Sequence, residues 1–160
     1  MDKQALEQAI KACAITDVYL RNSTVRLNDE FDPTVPDQRL DVEYRIETKH
    51  REEISRDGVN LLRVYVDAGL RYLPAKKDED NKAPVLAEIA AQFVAVYLIS
   101  GEKPQEECLN EFAKLNAPYH IWPYWREYAQ SLCMRHRLPA VMLPMLSVNQ
   151  LDSQEAVGEP

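Results

Sequence analysis

The sequence predicts an α+β fold: a four-stranded antiparallel sheet with two C-terminal helices on one face, preceded by a short N-terminal helix. Two observations lead to this prediction. Four long extended segments follow one another between residues 14 and 100, and helical patterns occur only before and after them. A run of strands followed by a run of helices is typical of α+β proteins, whose helices gather on one face of an antiparallel sheet.

The first part of the chain predicts a helix, a long strand and an acidic loop. Residues 2–13 have a helical pattern whose apolar face consists of Leu6, Ala9, Ile10 and Cys13. In the extended residues 14–27 the apolar side changes between Leu20 and Val25. This change of phase predicts a bulge or a change of partner. Residues 28–37 are rich in acid and proline, which predicts a loop.

The second strand has the clearest pattern in the sequence. Residues 39–49 alternate between charged side chains and a core-facing set, namely Leu40, Val42, Tyr44, Ile46 and Thr48. Asp57-Gly58 predicts the turn before a third strand at residues 60–73. Residues 74–84 predict a charged, solvated connection to the fourth strand.

The fourth strand, residues 85–100, is apolar on both sides. An antiparallel strand of this kind has both faces covered. A single layer of helices covers only one face, so the pattern predicts that another subunit covers the second.

Two helices are predicted at the C-terminal end. Pro104 is well placed to begin the first helix, and residues 116–118 (Asn-Ala-Pro) are expected to end it. The second helix is expected from about residue 121 to the turn before Pro139. Its apolar stripe recurs at helical spacing and consists of Ile121, Trp125, Tyr128 and Leu132.

The length and composition of the chain are typical of one folded domain. The 160 residues are 46% hydrophobic and 28% charged, so we expect one domain at 1–148 and a flexible tail at 149–160. The net charge of −7 argues against nucleic acid and anionic membrane surfaces as partners. No apolar run reaches the roughly 18 residues that a membrane-spanning helix needs. Three scattered cysteines give no disulfide framework, which predicts a cytoplasmic protein.

The sequence offers little for catalysis, so we expect no enzyme activity and no cofactor. Four glycines in the whole chain make a phosphate-binding loop unlikely to occur. Cys133 and His136 have a spacing that a metal could use, but no second pair completes four ligands. Neither His50 nor His120 has a neighbour in the sequence that indicates a nucleophile.

Apolar surface is the feature that remains to be explained. The two-sided fourth strand, the aromatic residues between 122 and 128, and Phe31 in its loop exceed what one core of this size needs. One interpretation is a large core with a dimer interface. The other is a surface that binds extended, apolar polypeptide.

Two motifs resemble the SecB family of protein-export chaperones. Residues 120–127 read His-Ile-Trp-Pro-Tyr-Trp-Arg-Glu and are similar to the start of a family helix. Residues 138–144 read Leu-Pro-Ala-Val-Met-Leu-Pro and are similar to the family's proline-containing tail. The resemblance extends over roughly residues 14–148 and includes the order of the strands.

The resemblance implies a SecB-like fold, a homotetramer built as a dimer of dimers, and a holdase that binds unfolded polypeptides or preproteins without nucleotide. By this resemblance, a client-binding groove would be lined by Phe31, Val35, Tyr44, Trp122, Tyr124 and Trp125. Contacts between subunits would involve Ala87, Ile89 and Ala91.

The resemblance also implies a contact with the export motor ATPase SecA, at positions Asn22, Arg26, Leu86 and Glu88. The family has acids where this chain has Asn22 and Arg26, which predicts weaker electrostatic recruitment of SecA. A divergent member with a narrower client, such as an antitoxin, fits this departure. The alternative is a dedicated interaction module or assembly factor without general holdase activity, and a small-molecule binder is a third possibility.

Overall fold

The structure is a computed structural model that describes residues 3–75 and 83–146, apart from the side chain of Ala5. Its elements in chain order are α1 (Lys3–Ala12), β1 (Cys13–Leu27), β2 (Leu40–Arg56), β3 (Val59–Pro74), β4 (Ala87–Ile99) and α2 (Glu106–Arg135). Three predictions lie wholly or partly outside the described residues: the helix start at Asp2, most of the 74–84 connection, and the tail at 149–160.

The four strands form one antiparallel sheet in the order β1-β4-β3-β2. This confirms the predicted sheet and leaves β1 and β2 as its edges. Helix α2 packs on one face, which we call the inner face. The inner face of β3 is buried along its whole length, as its alternation predicts, at Leu62, Val64, Val66, Ala68, Leu70 and Tyr72.

Strand β1 pairs with β4 throughout, and its register shifts between Ile15 and Asp17 and again between Leu20 and Asn22. Each shift inserts one residue and therefore exchanges the two faces of the strand. As a result Val18 and Val25, which have opposite phase in the sequence, both pack against the core. The predicted bulge is confirmed, and no change of partner occurs.

Strand β2 is longer than predicted because it continues past residue 49 to Arg56. A register shift between Thr48 and His50 breaks the alternation there, so the second half of the strand has no simple pattern. The turn to β3 has positive φ at both central residues, 52° at Asp57 and 77° at Gly58. Two positive φ values define the type I′ turn that suits a tight hairpin.

The two predicted C-terminal helices are one continuous helix, α2, of 30 residues with Pro118 and Pro123 inside it. Its first turn carries Glu106 and Glu107, as expected from the sequence. The predicted break at 116–118 is wrong because the helix packs on the sheet on both sides of Pro118. Near this proline, the Thr48 hydroxyl of β2 donates a 2.7 Å hydrogen bond to the Ala113 carbonyl and ties helix to sheet.

The second face of β4 is covered in part by the neighbouring strands. We call this side of the sheet the outer face. Because β4 lies between β1 and β3, its outer residue Val94 stands between Tyr19 and Tyr65 in the register and is fully buried. The Arg21 guanidinium lies 5.1 Å from the centre of the Tyr65 ring. The other outer residues of β4 are only partly buried, so the predicted cover by another subunit stays a prediction.

After α2 the chain turns back in a stretch that we call the return segment, residues 138–146, which has neither helix nor strand. Arg137 has a φ of 54° and the Leu138 N–H donates to the Cys133 carbonyl at 2.9 Å. A left-handed residue followed by this bond is a Schellman-type helix end. The segment is anchored by three buried leucines, Leu138, Leu143 and Leu146.

We expect Gly58→Ala to lower the free energy of unfolding by about 1 kcal/mol, since a side chain at positive φ strains the turn. Urea unfolding measures this. Asp57→Asn is the matched control, because asparagine is favoured at the first position of a type I′ turn and should leave stability unchanged. Equal stability of Gly58→Ala and wild type would contradict the assignment.

Candidate functional site

An aromatic pair joins the edge of the sheet to the long helix. The Tyr44 ring of β2 lies 5.6 Å from the Trp122 ring of α2, centre to centre, at an angle of 54°. Tyr44 is 37% exposed, whereas Trp122 is only 3% exposed. The alternation of β2 directs Tyr44 to the inner face, and its edge position leaves part of the ring open to solvent.

From Tyr44 a cleft of about 630 Å³ runs along β2 beside the N-terminal half of α2. One wall is residues 44–51 of β2, and the other consists of Asn110, Ala113, Lys114, Leu115 and Pro118. Because β2 is an edge strand, it pairs on one side only, with β3. Its free backbone groups border the cleft and can accept an added strand.

The end of the cleft away from Tyr44 is charged. Arg51 donates from Nε to the Asn110 side chain at 2.8 Å, and its guanidinium also pairs with Glu53 and Glu106. Lys49 lies 2.6 Å from Glu47, and this carboxylate raises the pKa of Lys49. The cleft therefore combines an aromatic end with a charged end whose ions are paired.

The loop between β1 and β2 is held in shape by Asp32. Its carboxylate accepts hydrogen bonds from the N–H and the hydroxyl of Thr34, at 2.9 and 2.6 Å, which lower the pKa of Asp32. Gln38 donates to the Asp32 carbonyl at 2.6 Å. This loop buries Phe31 and leaves Val35 half exposed.

The structure divides the six predicted groove residues into two groups. Phe31, Trp122 and Trp125 are buried, whereas Val35, Tyr44 and Tyr124 are exposed. Trp125 belongs to the core, since its ring is fully buried and meets Phe93 edge-on at 6.5 Å. It therefore has no surface for a ligand. Burial of Phe31 similarly places it beneath the surface.

Tyr124 lies away from the aromatic pair. Two residues along an α-helix correspond to about 200°, so Tyr124 and Trp122 point to nearly opposite sides of α2. Tyr124 is 52% exposed. The structure brings together Tyr44 and Trp122 and leaves Tyr124 on another surface.

The return segment covers Trp122, a contact that no sequence pattern indicates. The Trp122 indole N–H donates to the Pro144 carbonyl at 2.8 Å. Arg126, one turn further along α2, lies 3.0 Å from the Met145 sulfur. Leu143 and Leu146, which flank Pro144 and Met145 in the sequence, belong to the same core cluster as Trp122. The helical pattern ends at Arg137, and nothing in the residues beyond it indicates where they fold back.

The predicted subunit contacts also lie inside the chain. Ala87, Ile89 and Ala91 are buried on the inner face of β4, in the core cluster under α2. Their alternation with the outer residues of β4 fixes this orientation. They have no exposed surface to offer a second copy, which differs from the role that the resemblance implied.

Three of the four positions assigned to SecA lie on the outer face or at its border. Arg26 stands opposite Glu88 in the register, and Glu88 also forms a 2.6 Å ion pair with Arg71. Asn22 stands opposite Gln92. Leu86 instead packs against the core. The only acid of this set is therefore already paired with Arg71.

The described residues contain no cluster of metal ligands, and burial suppresses the reactivity of two cysteines. Within 3–75 and 83–146, no group of three or more metal-ligating side chains occurs. Burial raises the pKa of Cys133, and burial, aided by the Glu53 carboxylate, raises that of Cys13 to about 11. Thiols of this kind stay protonated at neutral pH and are poor nucleophiles. None of the helices in the described ranges is long and apolar enough to cross a membrane.

The fold has a counterpart among solved structures. The Mycobacterium tuberculosis SecB-like chaperone Rv1957, in complex with a ChAD peptide from the Rv1956 HigA1 antitoxin, superposes with a TM-score of 0.71. The match covers 91% of this chain and 98% of that chain at 21% sequence identity. The fold is SecB-like. The sequence itself matches no family model and no curated protein.

The SecB-like fold confirms the architecture that the resemblance implied, including the four-stranded antiparallel sheet. At this identity the similarity concerns the fold.

Trp125→Ala is expected to lower the free energy of unfolding by about 3–5 kcal/mol, because the ring is a fully buried part of the core. Tyr124→Ala, one position away and half exposed, should change it by less than about 0.5 kcal/mol. Urea unfolding of the two variants tests the assignment. Similar losses for both would contradict the placement of Trp125 inside and Tyr124 outside.

Stability should fall as the pH drops below about 6.5, the ordinary pKa of an unfolded histidine. Burial lowers the pKa of His120, whose Nδ1 lies 3.0 Å from the Tyr97 hydroxyl. As the pH falls, the His120 imidazole is therefore protonated in the unfolded chain before it is protonated in the folded chain. This protonation stabilises the unfolded state relative to the folded state.

The measurement compares urea unfolding at about pH 7.5 and about pH 5.5 for wild type and His120→Gln, across the ordinary imidazole pKa. The variant should lose less stability over this interval, since glutamine does not titrate and can still bond to Tyr97. An identical loss in both proteins would assign the effect to other groups.

Proposed function

We propose that this protein is a SecB-like, ATP-independent holdase chaperone. It binds unfolded polypeptides or preproteins, in protein export or for one dedicated client, with no cofactor and no enzymatic step. The observation that carries the proposal is the partly open Tyr44 ring at the head of a long cleft beside the edge strand β2.

An edge strand beside aromatic side chains suits a ligand of variable sequence. Backbone groups of an extended client can pair with β2 whatever the side chains of the client are. Tyr44 adds apolar area at a small cost in side-chain entropy, because tyrosine has few rotatable bonds. The combination explains binding of unfolded chain better than binding of a small molecule, since the cleft is long and open.

The outer face favours a chaperone that serves one dedicated client. Recruitment of SecA through acids would be weak here, because Glu88 is paired with Arg71 and faces Arg26. The structural neighbour Rv1957 is in complex with an antitoxin peptide. We therefore propose a polypeptide client of restricted identity, and SecA only as a weak partner.

Assembly into a homotetramer, a dimer of dimers, is part of the proposal. Support comes from the second edge of the sheet, where β1 exposes Ile15, Tyr19 and Leu20. An unpaired edge with apolar side chains is a surface that proteins commonly cover by association. A cytoplasmic location, without nucleic-acid partners or membrane insertion, fits the net charge of −7.

We expect Tyr44→Ser to weaken binding of an unfolded client about tenfold, the loss that follows from one partly buried ring. Tyr119→Ser is the matched control, because Tyr119 is similarly exposed on α2 but does not line the cleft. The measurement is suppression of aggregation of three unrelated denatured proteins, followed by light scattering.

The panel also separates the two forms of the function. A general holdase suppresses aggregation of all three proteins, whereas a dedicated module suppresses that of one or none. Equal activity of Tyr44→Ser and wild type towards every bound client would remove the cleft from the proposal.

A further inference from the structure

The strongest unassigned feature of the molecule is the contact between the return segment and Trp122. Trp122 forms part of the aromatic pair at the head of the cleft, yet it is 3% exposed. Its indole N–H is taken by the Pro144 carbonyl of the same chain. The surface that Trp122 would give to a ligand is therefore already occupied.

The occupying segment has the chemistry of an unfolded client. Residues 138–146 read Leu-Pro-Ala-Val-Met-Leu-Pro-Met-Leu and contain no charged side chain. They are neither helical nor paired as a strand. Large aliphatic side chains are buried at spacings of five and three, namely Leu138, Leu143 and Leu146.

Few polar contacts hold the segment in place. Tyr72 donates its hydroxyl to the Pro139 carbonyl at 2.6 Å, and Trp122 donates to Pro144. Both acceptors are carbonyls of prolines, which have no N–H of their own to satisfy. Between and beside the buried leucines, Met142 and Met145 are 94% and 77% exposed. The segment is thus held mainly by apolar side chains, and its backbone takes no part in the sheet.

We propose that the return segment is an internal occupant of the client site, and that clients bind by displacing it. The client class that fits is an extended, uncharged segment with large aliphatic side chains at spacings of five and three. A carbonyl between the last two would accept the Trp122 indole N–H. This inference rests on the proposed holdase function and identifies its preferred substrate.

An internal occupant lowers the apparent affinity for clients. A tethered segment competes at a high effective concentration, and the apparent dissociation constant equals the intrinsic one divided by the fraction of molecules in which the site is open. Weakening the segment raises that fraction. Client affinity should therefore increase when contacts inside the protein are removed.

The experiment compares the double variant Leu143→Ser/Leu146→Ser with the control Ala140→Ser/Met142→Ser, whose two positions are exposed. Both carry two serines in the same segment, but only the first removes buried anchors. The probe is a fluorescein-labelled synthetic peptide of residues 138–146, measured by fluorescence anisotropy. We expect the first variant to bind it about tenfold or more tightly than wild type, and the control within about twofold.

A second measurement uses the unaltered chain. The methyl NMR signals of Leu143 and Leu146 should move to the positions of solvent-exposed leucines when a saturating client or the synthetic peptide binds, because the two buried side chains leave their site with the segment. Bound peptide with no change in these signals would overturn the inference. So would a folded double variant that binds the peptide no more tightly than wild type, or one that no longer folds, since the segment would then be structural.

The two proposals fail in different ways. If the double variant binds the peptide tightly but no form of the protein binds a denatured client, the inference stands and the holdase function fails. If wild type binds denatured clients and the Leu143 and Leu146 methyl signals do not change, the function stands and the inference fails.

Discussion

The packing of one long helix across the inner face of the sheet is the interaction on which the structure depends. Two internal prolines cost roughly 6 kcal/mol of helix stability, at about 3 kcal/mol each. Burial of a large apolar side chain contributes about 1.5–3 kcal/mol, so five fully buried residues contribute roughly 8–15 kcal/mol. These five residues of α2 are Leu109, Phe112, Leu115, Ile121 and Trp125. Tertiary packing therefore outweighs the local preference to end the helix.

The same balance separates the parts of the fold that could be predicted from those that could not. Alternation within a strand depends on neighbours two residues apart, and it correctly identified all four strands. The residue types of Asp57-Gly58 correctly identified the turn between β2 and β3. The helix break at 116–118 was predicted from local chemistry, but packing against the sheet keeps the helix continuous through these residues. The register shift in β2 after Thr48 hid the second half of that strand for the same reason, since pairing with β3 decides it.

For the candidate site, the sequence shows which types of residue are present, but it does not show which of them come together in space. The aromatic residues between 122 and 128 were grouped from the sequence as surplus apolar surface, but the helical angle decides which of them meets Tyr44. It directs Trp125 into the core and Tyr124 outward, leaving Trp122 at the cleft. The cover on Trp122 comes from residues about twenty positions later, with no periodicity to indicate it. Contacts that depend on how an irregular segment folds back cannot be predicted from a sequence pattern.

The two edges of the sheet differ in a way that matters for a protein that binds unfolded chain. The edge formed by β2 carries exposed charges at Glu43, Arg45 and Glu47, which oppose permanent pairing between copies. The edge formed by β1 exposes the apolar side chains of Ile15 and Tyr19 together with charges of its own. Under the proposed function, β2 is the edge suited to reversible pairing with a client, because it borders the cleft and its charges oppose pairing with another copy.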